Sequence, residues 1–71
     1  MNAIENKIES IVDQVCDIVG CHSDNIAIDL RHGGYIASIE RVGHPDISSF
    51  PCPTELDAIE ALFNIVSEQK L

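Results

Sequence analysis

Three cysteines and three histidines are the residues whose chemistry would suit a metal site or a nucleophile. Thiolate and imidazole are the usual protein ligands of zinc. The spacing of Cys16, Cys21 and His22 lacks the paired, closely spaced ligands of a zinc knuckle, and no pattern around these cysteines or Cys52 indicates an activated thiolate. The sequence also lacks a glycine-rich phosphate-binding loop between a strand and a helix. We therefore predict no catalytic residue, no metal site and no cofactor.

The composition is typical of a small, folded, acidic protein. Seventy-one residues, 45% of them hydrophobic, suffice for one α+β domain, which we expect to span residues 1–71. Twelve acidic and four basic residues give a net charge of −8, which argues against direct binding to nucleic acid or to an anionic membrane. A basic surface on a partner protein is the natural counterpart. Without a recognisable leader or a long apolar span, and with an odd number of cysteines, the expected location is the cytoplasm.

Four acidic residues recur at every fourth position of the N-terminal segment: Glu5, Glu9, Asp13 and Asp17. On a helix they form one row of carboxylates, which we call the acidic row. Each like-charge pair at this spacing costs about 0.2–0.5 kcal/mol. Two interpretations stay open. The row is either a solvated face that keeps the protein soluble, or a line of charges about 6 Å apart that takes the place of a phosphate backbone on a nucleic-acid-binding partner.

Apolar residues at alternating steps of three and four predict the helix that carries this row. The predicted helix covers about residues 3–19, and Gly20 suits the left-handed position that ends a helix. We expect its apolar stripe to pack over a β-hairpin, with a helix-helix dimer seam as the alternative. The stripe consists of Met1, Ile4, Ile8, Ile11, Val15 and Ile18.

An antiparallel β-hairpin is predicted over residues 26–42 from two alternating apolar runs that flank two glycines. Gly33 and Gly34 suit the loop of a primed turn, which requires positive φ and would place His32 opposite Tyr35. The alternation also assigns the faces of the hairpin. The face expected to meet the core holds Ile26, Ile28, Leu30, His32, Tyr35, Ala37 and Ile39.

Turn residues dominate the segment after the hairpin, where a short third strand over residues 47–50 is left open. A second helix is predicted over about residues 54–69, with Thr54 as its N-cap. Apolar residues surround most of this helix, so we expect it to have two buried sides, one on the hairpin and one at a dimer interface. The predicted interface residues are Ala58, Ala61, Leu62 and Ile65.

Two families share parts of this pattern. With a third strand, the order α-β-β-β-α is similar to that of double-stranded RNA-binding domains, although Thr-Glu-Leu-Asp at 54–57 replaces their basic start of the second helix. Residues 34–39 followed by residues 54–62 resemble the hairpin-then-helix pattern of antitoxins of the HicB kind and of many short phage proteins. The long first helix departs from the antitoxin pattern, and the sequence carries no DNA-binding tail. We assign the chain to neither family.

Together these patterns predict an α+β fold of order α-β-β-(β)-α, with the hairpin covered on one face by both helices, in a homodimer. For function we expect a non-enzymatic accessory or inhibitor protein, of a kind that phages and mobile elements encode. It would place its acidic row on a basic surface of a partner protein, such as a nucleic-acid-binding site. An antitoxin-like or purely structural homodimer is the alternative, and a small-molecule or metal-binding protein is a third.

Overall fold

Two helices and a three-stranded antiparallel sheet form the fold in a computed structural model that describes residues 3–69. This confirms the predicted α+β order, and the third strand that was left open is present but shorter than residues 47–50. Met1, the first residue of the predicted stripe, lies outside the described residues. The elements are α1 (Ala3–Val19), a short 3-10 turn (Ser23–Asn25), β1 (Ile26–Arg31), β2 (Gly34–Ile39), β3 (Ile47–Ser48) and α2 (Glu55–Gln69).

The helix ends follow the signals in the sequence. Gly20, with φ of 79°, ends α1 in the left-handed conformation, and its N–H donates to the Cys16 carbonyl over 2.7 Å. At the start of α2, the Asp57 N–H donates to Thr54 Oγ1 over 3.1 Å, so that Thr54 is the N-cap. Both predicted ends are confirmed.

The hairpin register differs from the prediction by two residues. The loop is His32-Gly33, both with positive φ, and Leu30 rather than His32 lies opposite Tyr35. Histidine is among the residues that tolerate the left-handed region. Gly34 belongs to β2, where a Cβ atom would lie 2.9 Å from a backbone oxygen of the segment that follows β3. Because strand side chains alternate with a period of two, this shift leaves the predicted faces unchanged.

β2 is the central strand, with β1 on one side and β3 on the other. Pairing on the β3 side continues beyond the strand itself, because the Ser49 N–H donates to the Ala37 carbonyl and Tyr35 forms a bridge with Cys52. Pro51 and Pro53 interrupt regular pairing there, since proline has no N–H to donate. The hairpin strands end at Ile39, short of the predicted residue 42.

The core lies between the sheet and the two helices. α2 packs on β2, whereas the apolar stripe of α1, which was expected to pack over the hairpin, packs chiefly on α2. The inner face of the sheet contributes to this core as predicted, except at the end of the hairpin, where Leu30 is 68% exposed and His32 lies exposed in the loop. Within residues 3–69, no helix has the length and apolar character needed to cross a bilayer. Fully buried residues from the helices and the sheet include Val15, Ala37, Ile39, Ala58, Ile59 and Leu62.

Candidate protein-interaction surface

The acidic row is exposed along its whole length. All four carboxylates lie on α1, on the side of the helix turned away from the buried Val15. Successive members are about 6 Å apart along the helix axis. The last turn of α1 holds no basic residue that would offset the row at the negative end of the helix dipole. The row is therefore a continuous anionic surface about 18 Å long.

The lysine and arginine side chains within residues 3–69 do not neutralise this surface. The ion pair that forms within residues 3–69 joins Arg31 to Asp29 over 3.8 Å, and both side chains are about half exposed. Lys7 is exposed on α1, but it lies on a different side of the helix from the row. The four carboxylates consequently lack an intramolecular ion pair among the described residues.

One end of the row opens into a cleft of mixed polar and apolar character. This cleft has a volume of about 500 Å³ and lies where the start of α1 faces the start of α2. Ile8, Tyr35 and Leu56 supply apolar surface, whereas Glu5 and Glu55 supply carboxylates. Glu5 thus belongs both to the acidic row and to the cleft, so charge and apolar surface meet at this residue.

The residues predicted for a dimer interface do not share one surface. Ala58 and Leu62 are fully buried in the protomer's own core, and Ala61 is 8% exposed. Ala58 and Leu62 cannot meet a second copy in this conformation, whereas Ala61 keeps a small exposed edge beside Ile65. Ile65 is half-buried and remains open to a partner. Self-association through Ile65 stays a prediction.

The cysteines and histidines are dispersed, apart from one thiol pair. Within the described part of the chain, no three histidine, cysteine or acidic side chains come together as metal ligands. Cys16 and Cys21 are neighbours at the end of α1, with their sulfur atoms 3.8 Å apart, and Cys52 is buried beside β2. Burial, which has the largest effect, together with Cys21 and the charges of Asp13 and Asp17, raises the pKa of the Cys16 thiol from its ordinary 9.0 to about 11. Such a thiol is protonated at neutral pH and is a poor nucleophile.

Sequence reasoning missed the cleft and the pairing of the two thiols. The cleft joins residues from α1, β2 and the start of α2, so no local pattern reveals it. The spacing of Cys16 and Cys21 across Gly20 was visible, but their contact depends on the left-handed turn that the glycine makes.

Comparison with protein-family models, with curated proteins and with solved structures finds no match.

Proposed function

We propose that this chain is a non-enzymatic interaction protein whose acidic row binds a basic surface of another protein. The observation that carries the proposal is the row itself: four exposed carboxylates on one face of α1, without an ion pair within residues 3–69. In the free protein these charges repel one another. A partner that brings lysine or arginine side chains to the row relieves this repulsion and gains complementary contacts.

The cleft beside Glu5 gives the row a defined end. Electrostatic attraction alone speeds encounter more than it fixes a bound geometry, whereas an apolar pocket at one end of the contact sets the register. Glu5 and Glu55 flank the apolar side chains there. A basic partner residue with a long aliphatic stem, such as arginine, fits this combination because its stem packs on apolar surface while its head meets the carboxylates.

Regularly spaced anionic groups on a rigid helix resemble a phosphate backbone in sign and in periodicity. This resemblance favours a nucleic-acid-binding surface of a partner protein as the target of the acidic row. We propose the role of an accessory or inhibitor protein that occupies such a surface. The three free thiols suit a reducing compartment, and on that basis we place this role in the cytoplasm.

The alternative, a purely structural or antitoxin-like homodimer, has less support. Of the four residues predicted for its interface, Ala58, Ala61 and Leu62 are buried inside the protomer. A stable dimer interface requires a contiguous surface on each copy, and the surface around Ile65 carries Asp57, Glu60 and Glu68, which would repel the same carboxylates of a second copy.

Capture from extracts of the source cells tests the proposal with three forms of the tagged chain. The first is the wild type, and the second neutralises the acidic row (Glu5→Gln, Glu9→Gln, Asp13→Asn, Asp17→Asn). The third removes the same charge from exposed sites elsewhere (Asp24→Asn, Asp29→Asn, Glu40→Gln, Asp46→Asn). We expect a basic protein that the first and third forms retain and the second loses. Equal capture by all three forms would contradict the proposal.

A further inference from the structure

A second concave surface lies along α2, on the side that faces the segment after β3. It has a volume of about 450 Å³, which is within the range of sites that hold ligands or peptide side chains. We call it the α2 groove. It shares only Pro53 with the cleft beside Glu5, and no residue of α1 lines it. Its lining residues are Phe50, Cys52, Pro53, Asp57, Glu60, Ala61, Asn64, Ile65 and Glu68.

Three apolar residues line the groove. Phe50, which is 65% exposed, comes from the segment after β3, while Ala61 and Ile65 lie one helical turn apart on α2. Exposure of this much of a phenylalanine is uncommon, because burying the ring is worth more than burying most other side chains. Phe50 is held there by its backbone, whose carbonyl accepts hydrogen bonds from Ser49 Oγ and Cys52 Sγ. These hydrogen bonds fix the backbone of Phe50 beside the groove.

Carboxylates surround these apolar side chains. Asp57, Glu60 and Glu68 are exposed and line the groove, and no lysine or arginine among the described residues does so. Glu60 and Glu68 are separated by two turns of α2, so their Cα atoms are about 12 Å apart along the axis. Asn64 lies between them on the same side of the helix and adds an uncharged donor and acceptor.

We propose that the α2 groove docks a peptide segment of a partner protein, with an apolar anchor between Phe50 and Ile65 and lysine or arginine residues on either side of the anchor. The anchor buries the exposed phenylalanine ring, and the flanking cations reach Glu60 and Glu68. Two cations about 12 Å apart correspond to two turns of a partner helix. The proposal does not depend on the acidic row, since the groove and α1 have no residue in common.

Charge decides between a basic segment and a second copy of this chain. Pairing two α2 grooves would bring Asp57, Glu60 and Glu68 of one protomer close to the same carboxylates of the other, which is repulsive. The chain has only four lysines and arginines against twelve acidic residues. A second copy therefore brings a net charge of −8 to an anionic groove, whereas a basic partner brings cations that match it.

Selection from a displayed library of random short peptides tests this inference, with the intact wild-type chain as bait. We expect enriched peptides that combine an aromatic or aliphatic anchor with flanking lysine or arginine. In a nitrogen-15 NMR titration, the enriched peptide should shift the amides of Phe50, Ala61 and Ile65 in preference to those of α1. Enrichment of peptides without net positive charge, or no enrichment at all, would overturn the proposal.

Matched variants separate the groove from other surfaces. Phe50→Ser and the pair Glu60→Gln with Glu68→Gln should each weaken binding of the enriched peptide by about tenfold or more. Leu30→Ser removes an equally exposed apolar side chain, and Glu9→Gln with Asp13→Asn removes equal charge from α1. Both controls should bind the peptide as the wild type does.

Two binding results would overturn the proposal by assigning the peptide to another surface. One is binding that survives Phe50→Ser, and the other is binding that is lost only when the α1 carboxylates are neutralised. Groove amides that shift with concentration in the absence of peptide would identify a second copy as the occupant, with the same consequence.

Discussion

The sulfur atoms of Cys16 and Cys21 lie 3.8 Å apart at the end of α1, where the Cys21 thiol donates to Cys16 Sγ. Burial, Cys21 and the charges of Asp13 and Asp17 together raise the pKa of Cys16 from 9.0 to about 11. In the unfolded chain the thiol ionises at the lower pKa. Between these two pH values the folded state therefore holds the proton more tightly than the unfolded state does.

The expected consequence is a loss of stability at alkaline pH. The contribution of Cys16 is fully present below pH 9.0 and is lost as the pH rises toward about 11. Circular dichroism measures the melting temperatures of the wild type and of Cys16→Ala. The two temperatures should differ less at pH about 11 than below pH 9.0. A wild type whose advantage over Cys16→Ala is the same at both pH values would contradict this prediction.

Two buried serines should respond to alanine substitution with opposite signs. Ser38 Oγ is buried and has no hydrogen-bond partner among the described residues, whereas Ser49 Oγ accepts from the Ala37 N–H over 3.0 Å. Ser38→Ala removes an unsatisfied hydroxyl and should raise the free energy of unfolding by about 1 kcal/mol. Ser49→Ala leaves a buried N–H without an acceptor and should lower it by about 1–3 kcal/mol. Urea titration of both variants measures the two effects, and destabilisation by Ser38→Ala would show that its hydroxyl has a partner.

Alanine substitutions at the adjacent residues Gly33 and Gly34 should destabilise the protein for different reasons. A Cβ atom at Gly34 would lie 2.9 Å from the Cys52 carbonyl oxygen and 3.0 Å from its nitrogen, while a Cβ at Gly33 meets nothing within 4 Å. Gly34→Ala should therefore cost about 1–3 kcal/mol and push the Cys52 segment away from β2. Gly33→Ala strains a positive φ and should cost about 1–2 kcal/mol without moving that segment.

The reactivity of the Cys52 thiol distinguishes the two glycine variants. Cys52 is 4% exposed, and burial and the charge of Asp57 raise its pKa. In a Cys16→Ala, Cys21→Ala background, only Gly34→Ala should speed its labelling by a thiol reagent. Equal labelling rates in the two variants would show that the close approach at Gly34 does not hold Cys52 in place.

Local patterns predicted the elements and the faces of the sheet, because helix and strand periodicities are properties of short segments. They did not predict the register. Both His32-Gly33 and Gly33-Gly34 allow the positive φ values of a primed turn, and the observed loop places Gly34 in β2 beside Cys52, a residue distant in the sequence. A shift of two residues is invisible to a pattern of period two.

The same limit applies to the surfaces. The pattern of α2 showed an apolar circumference, but which residues lie against the sheet depends on how α2 is rotated in the fold. Ala58 and Leu62 are therefore buried where an interface was predicted. The α2 groove depends on Phe50, whose position beside α2 follows from hydrogen bonds of its backbone carbonyl rather than from its own side chain. By contrast, the exposure of the acidic row followed directly from its spacing.

Neutralising the acidic row should stabilise the isolated protein. The row contains three like-charge pairs four residues apart, and each costs about 0.2–0.5 kcal/mol. The variant with Glu5→Gln, Glu9→Gln, Asp13→Asn and Asp17→Asn should therefore unfold with a free energy higher by about 1 kcal/mol, and added salt should reduce this difference. A destabilised variant would mean that these carboxylates make favourable contacts within the fold.

The affinity of the captured partner for the row-neutralised variant, at low and at physiological salt, tests the proposed function most directly. If the row carries the contact, this variant should bind about tenfold or more weakly, although it is at least as stable as the wild type. The control variant that carries Asp24→Asn, Asp29→Asn, Glu40→Gln and Asp46→Asn should stay close to the wild type, and wild-type affinity should fall as salt is added. Undiminished affinity of the row-neutralised variant, without dependence on salt, would show that the acidic row only keeps the protein soluble.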